Sequence, residues 1–250
     1  MEVLPLLKVS KLYKNFGGVQ AIQDLNFELA EGELLGLIGP NGSGKTTSVN
    51  LITGFVKPTE GEIVFRGRNI TGRAPYKIVR LGIARTFQMV KPFYQLPAYK
   101  NMIIPLYSPR VKQMTGGKYG DRDAVALDLL EEVGFERDSH VAYKPASVLP
   151  QGYLKRLELA KAIALNPDLI ILDELFSGLS LAEVASIVPI IEKLRQEGKS
   201  IIMIEHRLKE LFRIADRIIV LNYGEKIADG KAAEVMESDA VKNAYLGTEA

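Results

Sequence analysis

The sequence contains no cysteine and no tryptophan, and only two histidines among its 250 residues. Without cysteine there is no disulfide framework, no thiolate nucleophile and no zinc site built on sulfur. The chain needs no oxidising compartment, which suits the cytosol. Long apolar runs are missing as well. The most apolar stretch, 169–204, is broken by Asp173, Glu174, Glu183 and Glu192 and by a Lys/Arg-rich segment. No run reaches the roughly 18–20 apolar residues of a spanning helix. The N-terminus, MEVLPLLKVS, has an early acid and a short apolar run, unlike a secretory signal. Charge of one sign is not in excess either. With 32 Lys and Arg against 30 Asp and Glu the net charge is +2, which gives no electrostatic case for nucleic acid.

What is present describes a packed α/β domain. Apolar residues make up 47% and charged residues 25%, which excludes a disordered or collagen-like chain. Leu34–Ile38, Asp168–Asp173, Ser200–Glu205 and Arg217–Leu221 are apolar runs without polar alternation. Such runs predict strands of a parallel sheet covered on both faces. Leu181–Gln196 and Arg207–Ala215 have helical periodicity. Residues 6–31 and Glu62–Ile70 read as antiparallel strands, with turns at Arg66–Asn69 and Asn222–Glu225. From about 92 to 165 the β-branched runs disappear. There Asp123–Val133 and Tyr153–Leu165 read as amphipathic helices, and Met114–Gly120 as a loop. The expectation is a single domain over 1–250. Residues 6–91 and 166–250 form its α/β core, and 92–165 an inserted helical part.

Gly39-Pro40-Asn41-Gly42-Ser43-Gly44-Lys45-Thr46-Thr47 fits G-x-x-x-x-G-K-[ST], after a buried strand and before a helix. Glycines let successive backbone N–H groups turn toward phosphates, and the helix N-terminus adds a positive dipole. Lys45 is expected to reach the β- and γ-phosphates and the Thr46 hydroxyl to bind Mg²⁺. The run Leu169–Leu172 ends in Asp173 and Glu174. Asp173 is expected to hold the metal, and Glu174 to act as general base on the attacking water. His206 follows the third buried run. At an ATP site it can hydrogen-bond the γ-phosphate, whereas His140 has no such setting.

The order of phosphate loop, Ala84-Arg85-Thr86-Phe87-Gln88, a helical stretch, Leu149-Pro150-Gln151-Gly152-Tyr153, Asp173-Glu174, Ser177-Gly178-Leu179-Ser180 and His206 resembles an ABC transporter ATPase cassette. The resemblance spans about residues 6–247. The ARTFQ motif, Ile204-Glu205-His206 and the tail Ala244-Tyr245-Leu246-Gly247 look most like the LivG-type subunit of branched-chain amino-acid importers. The resemblance implies a P-loop NTPase core with a mainly parallel sheet, an N-terminal antiparallel β-subdomain and an inserted α-helical subdomain.

It also implies roles. Phe16 matches the aromatic that stacks on adenine, with Val19 beside it. Gln88 matches the glutamine that touches Mg²⁺ or the attacking water, and residues 89–102 would face a membrane partner. The aromatics Phe93, Tyr94 and Tyr99 suit either a docking groove or the core. Ser177–Ser180 match the D-loop, with Ser180 in place of the usual Asp, and His206 matches the switch histidine. Such cassettes pair, each ATP lying between one phosphate loop and the partner's signature motif. A second cassette is therefore implied, identical or related, with two membrane permease subunits and, indirectly, an extracytoplasmic binding protein. Nucleic acid is not an expected partner.

The implied place is the cytoplasmic side of a membrane, reached through a specific groove near Gln88 and not through a basic surface. The signature departs from the family's L-S-G-G-Q. Pro150 offers neither hydroxyl nor N–H, and Gln151 is left as a side-chain donor. Leu175 and Arg207 also replace residues common in the family. A lipid-transport cassette and a non-transport ABC ATPase are the competing classes. The second lacks support in the helical insertion over 92–165, which has no room for a long coiled coil.

Overall fold

In the computed structural model, which describes residues 4–114 and 121–246, the chain begins with two long strands, β1 (Leu7–Phe16) and β2 (Val19–Leu29). β3 (Leu34–Ile38) leads into α1 (Lys45–Ile52), and a short hairpin of β4 (Glu60–Phe65) and β5 (Arg68–Asn69) follows. Next come α2 (Pro75–Leu81) and β6 (Ile83–Arg85), then the helices α3 (Ile103–Leu106), α4 (Pro109–Met114), α5 (Arg122–Glu132) and α6 (Gln151–Ile163). The remainder alternates: β7 (Leu169–Asp173), α7 (Leu181–Gln196), β8 (Ser200–Ile204), α8 (Leu208–Ile214), β9 (Arg217–Asn222) and β10 (Glu225–Gly230). It closes with α9 (Ala232–Glu237) and α10 (Asp239–Leu246).

The larger sheet has the order β10-β9-β3-β8-β7-β6. Its strands from β9 to β6 run parallel, and β10 is antiparallel to β9. The smaller sheet, β2-β1-β4-β5, is antiparallel. The apolar runs are continuous because both faces of the parallel sheet are buried. Leu35, Leu37, Ile171, Ile202 and Ile204 share one core with Leu7, Leu12, Ile63 and Phe65 of the antiparallel sheet. Their alternate neighbours Ile38, Ile170, Leu172, Ile201 and Met203 share a second core with Leu157, Val184 and Ile187 of the helices. Gly36 interrupts this pattern for a steric reason. A Cβ there would lie 2.4 Å from Ile218 Cδ1.

Several boundaries differ from expectation. The turn expected over Arg66–Asn69 is confined to Arg66 and Gly67, both at positive φ, while Arg68 and Asn69 pair with Phe65 and Val64. Tyr223-Gly224 makes the other turn with positive φ at both residues, the form that fits strand twist. α6 starts at Gln151, two residues before the expected Tyr153. Gln151 and Gly152 carry no apolar signal, and Pro150 stands as the N-cap. Met114 ends α4 instead of opening a loop, and residues 115–120 of that expected loop lie outside the described residues. Of the 244–247 tail, Ala244, Tyr245 and Leu246 lie in α10, and Gly247 is outside the described residues. Among the described residues no helix is long and apolar enough to cross a membrane.

Candidate nucleotide site and neighbouring groove

The loop 39–44 joins β3 to α1 through glycines at φ 149 (Gly39), 77 (Gly42) and 103 (Gly44). A Cβ on Gly39 would lie 2.1 Å from the Leu221 carbonyl oxygen, and one on Gly44 2.8 Å from Ile22 Cδ1. Lys45 is buried, and its Nζ donates to the carbonyls of Gly39 (2.7 Å) and Pro40 (2.8 Å). Burial lowers its pKa, against the opposing pull of Glu174 and Asp173. Ser43 Oγ is buried and has no hydrogen-bond partner among the described residues, a polar atom left open inside the loop. Asn41, Gly42 and Thr46 are exposed, and Pro40 and Thr47 partly so. The loop thus offers what a phosphate needs: an ammonium held only by carbonyls, a spare hydroxyl, and N–H groups at a helix start.

At the C-terminal end of β7, Asp173 is buried and its Oδ2 accepts from Arg85 Nη2 at 2.6 Å. Arg85 Nη1 donates to Asn50 Oδ1 on α1 at 2.6 Å. Glu174 has φ 49, a left-handed conformation that strains a residue with a Cβ. Its N–H donates to the Ile204 carbonyl at 2.9 Å. The Glu174 carboxylate joins two other candidates. Oε2 accepts from Gln88 Nε2 at 2.6 Å, and Oε1 lies 3.1 Å from His206 Nε2. Thr46, Gln88 and Asp173 line one cavity. Hydroxyl, amide and carboxylate oxygens are the donor set that a hard Mg²⁺ prefers, so these residues fit that ion.

Two buried charged residues that sequence reading passed over complete the arrangement. Lys155 of α6 is 1% exposed, and its Nζ donates to the carbonyls of Gln88 (3.0 Å) and Glu174 (2.9 Å). Burial lowers its pKa while Glu205, Glu174, Asp173 and Glu158 oppose that shift. Glu205 is 3% exposed and accepts from the Phe176 N–H at 2.8 Å. Burial pushes its carboxyl up to about 7, against the Phe176 N–H and Lys155. A signal for Lys155 existed. It shares a helical face with Gly152, Leu159 and Ala162, where an apolar residue is the rule.

The other candidates lie apart from this cluster. Phe16 and Val19 pair across the β1–β2 turn and are largely exposed, with Lys14 Nζ 4.7 Å above the Phe16 ring. Within the signature only Pro150 and Gln151 are exposed. Leu149 is in the core, Tyr153 packs edge-on against Phe135 at 5.0 Å, and a Cβ on Gly152 would lie 2.4 Å from Glu183 Oε1. Gln151 also lies beside Gly178, whose φ is 77. Ser177 and Gly178 are exposed and Leu179 is buried. Ser180 caps α7 through a capping box with Glu183. His140 has φ 54 and lies near the Tyr143 ring.

Beside Gln88 opens a groove of about 1020 Å³, the cavity that Thr46 and Asp173 also line. Its aromatics are Phe55, Tyr76, Phe87 and Tyr107, not Phe93, Tyr94 or Tyr99. Phe93 and Tyr94 are exposed elsewhere, and Tyr99 stacks at a tilt on Tyr143. The groove's ring residues are scattered over four segments, so no run of sequence marks them. The Arg85 guanidinium lies 5.0 Å from the Phe87 ring and 5.9 Å from that of Phe55. The residue that holds Asp173 therefore also underlies the groove.

Residues 22–177 match the ABC transporter family, and residues 225–250 match the branched-chain amino acid ATP-binding cassette transporter family. The chain belongs to the ABC transporter family of ATP-binding cassettes. It is 36% identical to the high-affinity branched-chain amino acid transport ATP-binding protein LivG of Salmonella typhimurium. It is 35% identical to the corresponding protein BraF of Pseudomonas aeruginosa. Each alignment covers 97% of this chain and 98% of the relative. The fold matches a nucleotide-free cassette from an ABC transporter with a TM-score of 0.86, at 28% identity, over 97% of this chain and 99% of that one. It also matches a dimeric cassette in a post-hydrolysis state with ADP and Pi (TM-score 0.79, 28% identity), over 90% of this chain and 98% of that one. These neighbours are P-loop cassettes, which makes the fold α/β with a P-loop core, an antiparallel sheet and added helices.

Two departures of this cassette from the family pattern have structural uses. Leu175 is buried at 1% exposure, filling the helical-side core. Arg207 donates to the Leu179 carbonyl, tying the loop before α7 to the segment after His206.

Proposed function

We propose that this cassette hydrolyses ATP to drive import of branched-chain or related amino acids, as a peripheral subunit on the cytoplasmic side of a membrane. One observation carries the ATPase reading. The Glu174 carboxylate is held between Gln88 and His206 at the end of β7, next to the buried Lys45 of the phosphate loop. The cargo reading is supported by the names of the relatives and by the match of residues 225–250.

The residues divide the work. Phe16, with Val19, gives the adenine an exposed ring face. Lys45 leaves its two carbonyls for the β- and γ-phosphates, and the loop N–H groups and Ser43 Oγ take phosphate oxygens. Thr46, Asp173 and Gln88 are the side chains to hold Mg²⁺, which supplies positive charge against the phosphates. Glu174 accepts a proton from the attacking water, and His206 fixes that carboxylate from the other side. Gln88 leaves Glu174 as water enters, so movement of the groove wall reaches the base directly.

Pro150, Gln151 and the N–H groups at the start of α6 serve a second cassette's nucleotide, as does Ser177–Ser180 at the seam. Two permease subunits supply the apolar segment that fills the groove at Phe55, Tyr76 and Phe87. An extracytoplasmic binding protein delivers cargo to them. Reconstitution in vesicles with the permease and binding protein encoded alongside tests this. ATP-driven uptake of leucine, isoleucine or valine is expected. Hydrolysis stimulated by another solute and not by these would overturn the cargo reading.

A further inference from the structure

The near-neutral total hides a separation of charge. Between Glu62 and Asp121 the sequence has eleven Lys and Arg and not one Asp or Glu. This segment supplies most of the groove wall. Some of its cations are spent on structure. Arg85 holds Asp173, Arg110 holds Asp168, and Lys100 holds Asp123. Four others are exposed. Arg73 precedes α2, Lys77 and Arg80 lie on α2, and Lys112 lies on α4, which packs against α2. None of these four makes an ion pair with an acidic side chain among the described residues. Lys77 and Arg80 rest over the ring of Tyr76, at 5.9 and 5.6 Å, at the groove's edge. The carboxylates that line the groove, Glu158 and Asp173, are neutralised by Lys161 and Arg85.

We infer that Arg73, Lys77, Arg80 and Lys112 form a basic rim that contacts the anionic headgroups of the membrane beside the docked permease. The inference rests on the reading of the groove as the permease's seat, since that seat turns the rim toward the bilayer. Charge complementarity selects lipid over the permease itself. Cytoplasmic loops of membrane proteins are rich in Lys and Arg, so they would repel this rim. The anionic leaflet attracts it, and the attraction fades within about one Debye length, roughly 8–10 Å. The overall charge of +2 therefore does not exclude a basic membrane-facing surface. The groove supplies specificity and the rim supplies orientation.

The test is co-sedimentation of the full chain with phosphatidylcholine vesicles, with and without phosphatidylglycerol. Binding to the anionic vesicles alone is expected, weakening as salt is raised. Arg73→Glu, Lys77→Glu and Lys112→Glu together avoid the residues lining the groove, and should lower the partition coefficient by about tenfold or more. Lys144→Glu, Lys209→Glu and Arg213→Glu make the same change of charge on other exposed positions and should leave most of the binding. Equal binding to neutral vesicles, no binding to either, or equal loss in both variants overturns the inference. Ile104→Asp separates it from the groove reading. That variant should lose permease in co-purification yet keep vesicle binding. Retained permease would sink the groove reading while the vesicle data still decide the rim.

Discussion

In the proposed function the chain carries two halves of an ATP site, and they are built differently. Its own half is a dense set of bonded groups, with Lys45 on two carbonyls, Arg85 on Asp173, and Gln88 and His206 on Glu174. The half it offers to a partner is sparse. Only Pro150 and Gln151 of the signature face outward, and neither contributes a hydroxyl. The first half is ordered for chemistry before any partner arrives. The second relies on the start of a helix and on one flexible amide. Lys155 joins them, because it lies on the signature helix and holds the carbonyls of Gln88 and Glu174.

Breaking the dense half should have the largest effect. Arg85→Leu leaves Asp173 as a buried carboxylate without its cation, which costs about 3–5 kcal/mol. Urea unfolding followed by circular dichroism would measure it, and a change under 1 kcal/mol would mean Asp173 does not depend on Arg85. Breaking the link comes next. Lys155→Met should lower kcat roughly a hundredfold, the scale of a small misplacement of reacting groups. The Kd for ATP should stay near wild type and Lys155→Arg should recover most of the rate. Equal losses in kcat and in binding would show a merely structural lysine.

Sharpening the sparse half should be gentler. Pro150→Ser adds a hydroxyl at the signature, and turnover in the assembled transporter should rise roughly two- to fivefold, the scale of one hydrogen bond. An unchanged or lower rate contradicts that view of the signature. The smallest effect is on stability against pH. Folding holds the Glu205 proton up to about pH 7, whereas an unfolded glutamate ionises near 4.5. The folded chain therefore keeps an extra proton between those values. The associated stability is fully present below about pH 4.5 and is lost as pH rises through 7. Glu205→Gln should flatten that fall in melting temperature, and an unaltered profile would assign it elsewhere.

The dense half was legible where its chemistry is contiguous. The phosphate loop must be nine consecutive residues because successive N–H groups cradle one anion, and Asp173-Glu174 must end a buried strand. The parallel strands were legible because burial on both faces removes polar alternation. What stayed hidden is assembled from distant segments. Arg85 meets Asn50 of α1 and Asp173 of β7, and Phe55 meets Phe87 edge-on at 5.6 Å, only once the chain is folded. The start of α6 is hidden in the sequence for a local reason, since its first two residues, Gln151 and Gly152, carry no apolar signal. The basic rim was hidden by an average, because acids elsewhere in the chain balance the cations of one face.

The proposed function turns on Glu174 as the base of an ATP-hydrolysing cassette. Replacing it by Gln keeps the shape and the capacity to bond Gln88 and His206 but removes the proton acceptor. Steady-state phosphate release by Glu174→Gln, measured beside ATP binding and gel filtration with ATP, tests that claim directly. Hydrolysis reduced to background, ATP binding retained and an ATP-dependent dimer that persists are expected. Hydrolysis at the wild-type rate would contradict that claim.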